Sequence, residues 1–127
     1  MIQFKDVSMS YGDNEVIHHL NLQIDEGKLV VLIGPSGCGK TTTLQLINRL
    51  LNPSSGQVLI DGVDIQTIDP VTLRRSICYV IQEIGLFPHM TIEQNIEIVP
   101  KLLKWPEEKR KARTLELMEL VGMDPDT

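Results

Sequence analysis

Residues 34–41 read Gly-Pro-Ser-Gly-Cys-Gly-Lys-Thr, and the spacing G-x-x-x-x-G-K-[ST] gathers residue types that share one chemistry. Gly34, Gly37 and Gly39 let the backbone curl until successive amide hydrogens converge on one point, which side chains would otherwise block. Lys40 brings a positive charge to that point, and Thr41 a hydroxyl able to complete the shell of a divalent cation. Such a cradle suits the phosphates of a nucleoside triphosphate, and ATP with Mg²⁺ is the expected ligand. Pro35, Ser36 and Cys38 occupy the variable positions of the same loop, so every residue from Gly34 to Thr41 is a candidate contact.

A loop of this kind works only if a strand delivers it and a helix carries it away. Residues 29–33, Leu-Val-Val-Leu-Ile, are apolar without alternation, as in a strand buried on both faces of a parallel sheet. Leu44, Ile47, Leu50 and Leu51 recur at helical spacing behind the loop, and the positive end of that helix would face the same phosphates. Ahead of the loop, Ile2 to Tyr11 and Val16 to Ile24 alternate as two strands around a Gly12-Asp13-Asn14 turn, with antiparallel pairing expected. Residues 58–65 read as a small hairpin about Asp61-Gly62. Residues 77–81 form a second buried-strand candidate, ending at Gln82. Thr91 and Gln94 have the form of a capping box opening a helix towards Leu102 or Leu103, with Pro100 as its weak point. Pro106 suits the first turn of a last helix, with an apolar stripe of Ala112, Leu115, Leu117, Met118 and Val121 and a stop at Gly122.

Composition narrows the function. The 127 residues carry 12 basic and 17 acidic side chains, a net charge of −5, which disfavours nucleic acid or anionic lipid as a general partner. No stretch approaches the roughly 20 apolar residues of a membrane span, and the amino terminus lacks the basic start and apolar core of a secretion signal. Cys38 and Cys78 have neither CxxC spacing nor a histidine arrangement for zinc, so reduced thiols are expected.

Tyr11-Gly12, the run from Leu32 to Thr42, Ser55-Gly56-Gln57-Val58 with Ile60-Asp61-Gly62, and Val80-Ile81-Gln82 together resemble the ATP-binding subunit of an ABC transporter. The stretch from Arg74 to Thr91 looks like the branch that imports glycine betaine, carnitine or choline. The resemblance implies an α/β fold: a P-loop NTPase core with a partial parallel sheet, an amino-terminal antiparallel β-subdomain and the start of a helical subdomain. The corresponding boundaries are 1–28 and 56–66 for the β-subdomain, 29–55 and 67–82 for the core, and 83–127 for the helical part. It also implies that Tyr11 stacks on adenine, that Val16 packs beside the base, and that residues 36–41 wrap the phosphates with Thr42 near the α-phosphate. Gln82 would touch Mg²⁺ and the attacking water. Leu86-Phe87-Pro88-His89 would meet a membrane-embedded permease, and a second ATP-binding subunit would complete a homodimer at the cytoplasmic face of the membrane.

The departures from the family pattern bear equally on function. No Leu-Ser-Gly-Gly-Gln-type signature is present, since Ser54-Ser55-Gly56-Gln57 precedes a strand rather than a helix. Residues 58–61 echo the acidic strand that supplies a general base, but Gly62 stands where the catalytic glutamate should follow. His18, His19 and His89 all precede the expected switch histidine. The expectation is therefore the amino-terminal part of the domain, which binds ATP without useful turnover. A small phosphate-loop kinase would need an acidic strand end and a basic lid, and neither is found. An interaction fragment that engages a permease or another copy of itself would likewise show no turnover.

Overall fold

The computed structural model describes residues 1–125; Asp126 and Thr127, which close the helical segment read above, lie outside the described residues. The chain divides into two compact units, Met1–Ile77 and Cys78–Thr127.

In the first unit, β1 (Ile2–Tyr11) and β2 (Asn14–Ile24) form the antiparallel pair expected from their alternation. The turn between them falls on Gly12, whose φ is +60°, and Asp13. β3 (Ser55–Ile60) pairs antiparallel with the other edge of β1, and β4 (Val63–Asp64) closes the order β2-β1-β3-β4. Asp61 and Gly62 join β3 to β4 with φ of 50° and 80°, the doubly left-handed turn whose twist matches that of a two-residue hairpin. The chain then enters a 3-10 turn, Ile65–Thr67, so Ile65 is not part of the hairpin strand.

Below this sheet lie α1 (Lys40–Ile47) and α2 (Pro70–Arg75). Phe4, Val7, Met9, Ile17, Val58, Leu46, Ile65 and Leu73 form the buried cluster that joins sheet and helices. Leu46 is wholly buried, and truncating it to alanine should cost about 2–5 kcal/mol. Asp69 caps α2 by accepting from the Thr72 amide and hydroxyl at 3.0 Å each.

Three expectations are corrected here. Residues 29–33 form no regular strand: Leu29 and Ile33 are 92% and 91% exposed. Residues 77–81 likewise stay irregular, with Val80 at 86%. A strand of a parallel sheet needs hydrogen-bonded neighbours on its flanks, and among the described residues the sheet contains β1 to β4 alone. The apolar spacing behind the loop is met only in part: Ile47 and Leu51 pack against the core, Leu44 and Leu50 are exposed, and α1 buries Thr42, Thr43 and Leu46.

The second unit is built on α3 (Ile92–Leu102) and α4 (Glu107–Leu120). The capping box forms as read: the Gln94 amide donates to Thr91 Oγ1 at 3.1 Å, and the Thr91 amide to Gln94 Oε1 at 2.9 Å. Pro100 lies inside α3, and Pro106 caps α4 rather than joining its first turn. α4 ends at Leu120 with Val121 as its C-cap, and the Gly122 and Met123 amides just beyond donate to the Glu119 and Met118 carbonyls. The stripe expected on α4 is narrower than its sequence suggested. Met118 is buried beside Thr114, while Leu115 and Val121 are exposed.

Candidate functional site

Lys40 is the first residue of α1, and its side chain folds back over the loop that precedes it. Its Nζ donates to the Gly34 carbonyl at 2.5 Å and the Pro35 carbonyl at 2.9 Å, with Cys38 Sγ at 3.5 Å. The loop thus closes into a ring around the ammonium group. The Cys38 amide completes a tight turn by donating to the Pro35 carbonyl at 3.3 Å.

Gly39 is the N-cap of α1, with φ of 99° and no side chain satisfying the first-turn amides; no acidic residue lies in that turn. The helix therefore presents unneutralised N–H groups at its positive end, an arrangement suited to an anion. Glycine is required at position 39 for space as well as for conformation. A Cβ there would stand 3.2 Å from both Cγ1 and the carbonyl oxygen of Val16. The loop is consequently seated on β2. At Gly34 the space that a Cβ would need is held by Cys38 Sγ, 2.6 Å away.

Thr43 locks the start of the helix, its amide and hydroxyl both donating to the Gly39 carbonyl at 2.9 and 2.8 Å. Thr42 is buried, and its Oγ1 lies 3.4 Å from the Tyr11 hydroxyl. Tyr11, Val16, residues 34–39, Lys40, Thr41 and Thr42 are thus gathered at one end of α1. Ser36 and Thr41 are exposed there, and so is about half of Tyr11. Gln82 belongs to the second unit, exposed in the irregular stretch after residues 77–81.

In that second unit Asn95 pins the 86–90 loop. Its Oδ1 accepts from the Phe87 amide at 2.8 Å, and its Nδ2 donates to the carbonyls of Phe87, Met90 and Thr91. Leu86, Phe87 and Pro88 line an apolar groove of about 580 Å³ with Ile96, Leu117 and Val121. Phe87 meets His89 edge to face at 5.9 Å. Asn95 carries no sequence signal beyond its place in the first turn of a capped helix, and its role in holding the loop was missed.

Cys38 and Cys78 are both free and exposed. Among the described residues no three His, Cys, Asp or Glu side chains are grouped to hold a metal.

The family model described as "ABC transporter" matches residues 17–127, most of the chain and the whole phosphate loop. The chain belongs to the ABC transporter family. Among curated ABC relatives, it is 58% identical to the "Glycine betaine/carnitine/choline transport ATP-binding protein OpuCA" of Bacillus subtilis (strain 168), over 99% of this chain and 33% of that protein. It is 57% identical to the "Choline transport ATP-binding protein OpuBA" of the same organism, with the same coverage. The chain thus spans about a third of the length of these relatives. A solved dimeric structure, a post-hydrolysis state of the ATP-binding cassette MJ0796 bound to ADP and Pi, superposes with a TM-score of 0.83 at 31% identity, covering 99% of this chain and 59% of that one. The fold class is accordingly that of the ABC cassette: α/β, with the phosphate-loop NTPase core, an amino-terminal antiparallel sheet and flanking helices.

Proposed function

We propose that this chain is the amino-terminal, ATP-binding part of an ABC importer subunit that energises uptake of a quaternary-amine osmoprotectant such as glycine betaine, carnitine or choline. The observation that carries nucleotide binding is the phosphate loop itself. Its glycine turns lead into an uncapped α1, and Lys40 lies at the centre of the ring. Similarity to OpuCA and OpuBA across 99% of the chain supports the solute class.

In this reading the Lys40 ammonium and the first amides of α1 hold the β- and γ-phosphates, and the Thr41 hydroxyl joins the Mg²⁺ shell. Bound Mg-ATP supplies the phosphoryl group. The ring of Tyr11 stacks on adenine, Val16 flanks the base, and Thr42 lies near the α-phosphate. Gln82 contributes a neutral amide that contacts Mg²⁺ and orients water. Residues 1–28 and 56–66 then serve as the β-subdomain, 29–55 and 67–82 as the core, and 83–127 as the start of the helical subdomain.

The apolar groove beside Leu86-Phe87-Pro88-His89 receives a permease segment, and a second ATP-binding subunit completes the dimer. The working position is the cytoplasmic face of a membrane; no helix among the described residues is long and apolar enough to cross it. The test is calorimetric titration of Mg-ATP into the folded chain and its Lys40→Ala variant. Removal of the ammonium is expected to abolish most of the affinity, because a charge-assisted contact to phosphate is lost. Equal affinity in the two proteins would sink the proposal.

A further inference from the structure

We infer that Arg49 and Arg74 are positioning residues for the phosphate loop, acting through the far end of α1. The inference rests on the nucleotide-binding reading above and adds two residues that it does not use.

Residue 49 follows the C-cap Asn48 and has φ of 57°, in the left-handed region where glycine or asparagine is the ordinary choice. Its amide and that of Leu50 donate to the Leu46 and Gln45 carbonyls, closing the helix end. The arginine that stands here lays its side chain against the backbone of residues 65–68. The guanidinium Nη1 donates to the Ile68 carbonyl at 2.8 Å and lies 3.4 Å from that of Ile65. Its Nε is buried with no hydrogen-bond partner, so the side chain is held inside the fold rather than lying loosely over it.

Arg74 returns the contact from the other direction. Its Nε donates to the Asn48 carbonyl at 3.1 Å, and its Nη2 to the Arg49 carbonyl at 2.8 Å. A cation is thereby set at the negative end of α1, where the helix dipole favours it. Each arginine serves carbonyls of the segment that carries the other. The end of α1 is thus clamped to residues 65–74 from both sides.

α1 has only eight residues, about 12 Å of helix. It carries Lys40, Thr41 and Thr42 at one end and the clamp at the other. Such a short rod transmits a tilt at its C-terminal end directly to the amides that face the phosphates. The clamp therefore sets the aim of those amides and of Lys40.

Arg49→Gly is the informative variant. It deletes the guanidinium while placing the residue best suited to a left-handed backbone, so the fold should persist. In ¹H–¹⁵N spectra of the free chain, this change is expected to shift the Gly37 and Gly39 amide resonances and leave that of Gly12 in place. Unmoved loop resonances would overturn the inference whether or not the chain binds ATP. In titrations with Mg-ATP, Arg49→Gly should weaken binding by about tenfold, the scale expected of a small misplacement, with an unchanged or higher thermal midpoint.

Arg74→Ala should weaken binding and shift the loop resonances likewise, and the double variant should bind no more weakly than the weaker single, because both cut one clamp. Arg74→Lys keeps a cationic donor at the helix end and should recover part of the loss. Wild-type affinity in Arg49→Gly, or an affinity loss that tracks a falling midpoint, would overturn the positioning role. Lys40→Ala keeps the two readings apart. If the wild type binds no better than Lys40→Ala, the nucleotide assignment fails, while the free-chain spectra still decide on the clamp.

Discussion

The hydroxyl of Tyr11 lies 3.4 Å from Oγ1 of Thr42, joining the last residue of β1 to the first turn of α1. Strand and phosphate-loop helix thus meet beside the loop, and about half of the tyrosine stays open to solvent there. The pairing separates two contributions of one side chain. Tyr11→Ala should weaken Mg-ATP binding by about 1–3 kcal/mol, the range for a base stacked on an aromatic ring. Tyr11→Phe removes only the hydroxyl and should keep most of the affinity. Equal losses on calorimetric titration would assign the effect to the Thr42 contact instead of the ring.

Gly39→Ala should be the most damaging single-methyl change in the loop. It imposes φ of 99° on an L-residue and drives a Cβ to within 3.2 Å of the Val16 carbonyl oxygen. A cost on the order of 1–3 kcal/mol in stability is expected from the backbone strain alone. Nucleotide affinity should fall with it. Thermal unfolding beside an ATP titration checks both, and a variant matching the wild type in each would refute the seating of the loop on β2.

Alkylation of Cys38 should block nucleotide binding, whereas alkylation of Cys78 should not. Both thiols are exposed, but Cys38 packs inside the loop with its sulfur 3.5 Å from Lys40 Nζ. Bound Mg-ATP should therefore protect Cys38 from labelling, as read by mass spectrometry. Equal labelling with and without nucleotide would count against the site.

The 127-residue chain should bind ATP without turning it over at a rate useful for transport. On the proposed reading Gln82 orients water, but a neutral amide is a poor proton acceptor, and no run of four apolar residues in the chain is followed directly by Asp-Glu. Loss of catalytic groups of this kind typically removes several orders of magnitude in rate. Phosphate release would be measured beside Lys40→Ala. Substantial release that depends on Lys40 would mean that Asp61 or another carboxylate has been misjudged.

The cap of α2 should be sensitive to acid. Hydrogen bonds from the Thr72 amide and hydroxyl, in that order of weight, hold the Asp69 carboxyl below its ordinary value of 3.8. A carboxylate depressed by folding contributes stability above its unfolded pKa and loses it as pH falls through the folded one. Asp69→Ala should therefore lower the thermal midpoint at pH 7, and its deficit should shrink as the pH drops below 3.8. A deficit independent of pH would show that the carboxylate charge is not what the cap uses.

What the sequence determined by itself was what a few neighbouring residues can decide. The glycines, Lys40 and Thr41 announce a phosphate loop within eight positions. Thr91 and Gln94 announce a capped helix within four, and Asp61-Gly62 a tight turn within two. Their signals are steric and hydrogen-bonding preferences of the local backbone, which survive in almost any surrounding. Only the tertiary structure decided which faces are buried and which ends are held. α1 shows Leu44 to solvent and hides Thr42 and Thr43, because the sheet and the Tyr11 hydroxyl approach from that side. Arg49 reaches carbonyls 16 and 19 residues away, and Arg74 returns across 25 and 26. Residues 29–33 and 77–81 read as strands from apolar content, but hydrogen-bonded neighbours make a strand, and the described sheet offers them none. Burial and pairing depend on what packs across from a residue, and no residue carries that information in its own side chain.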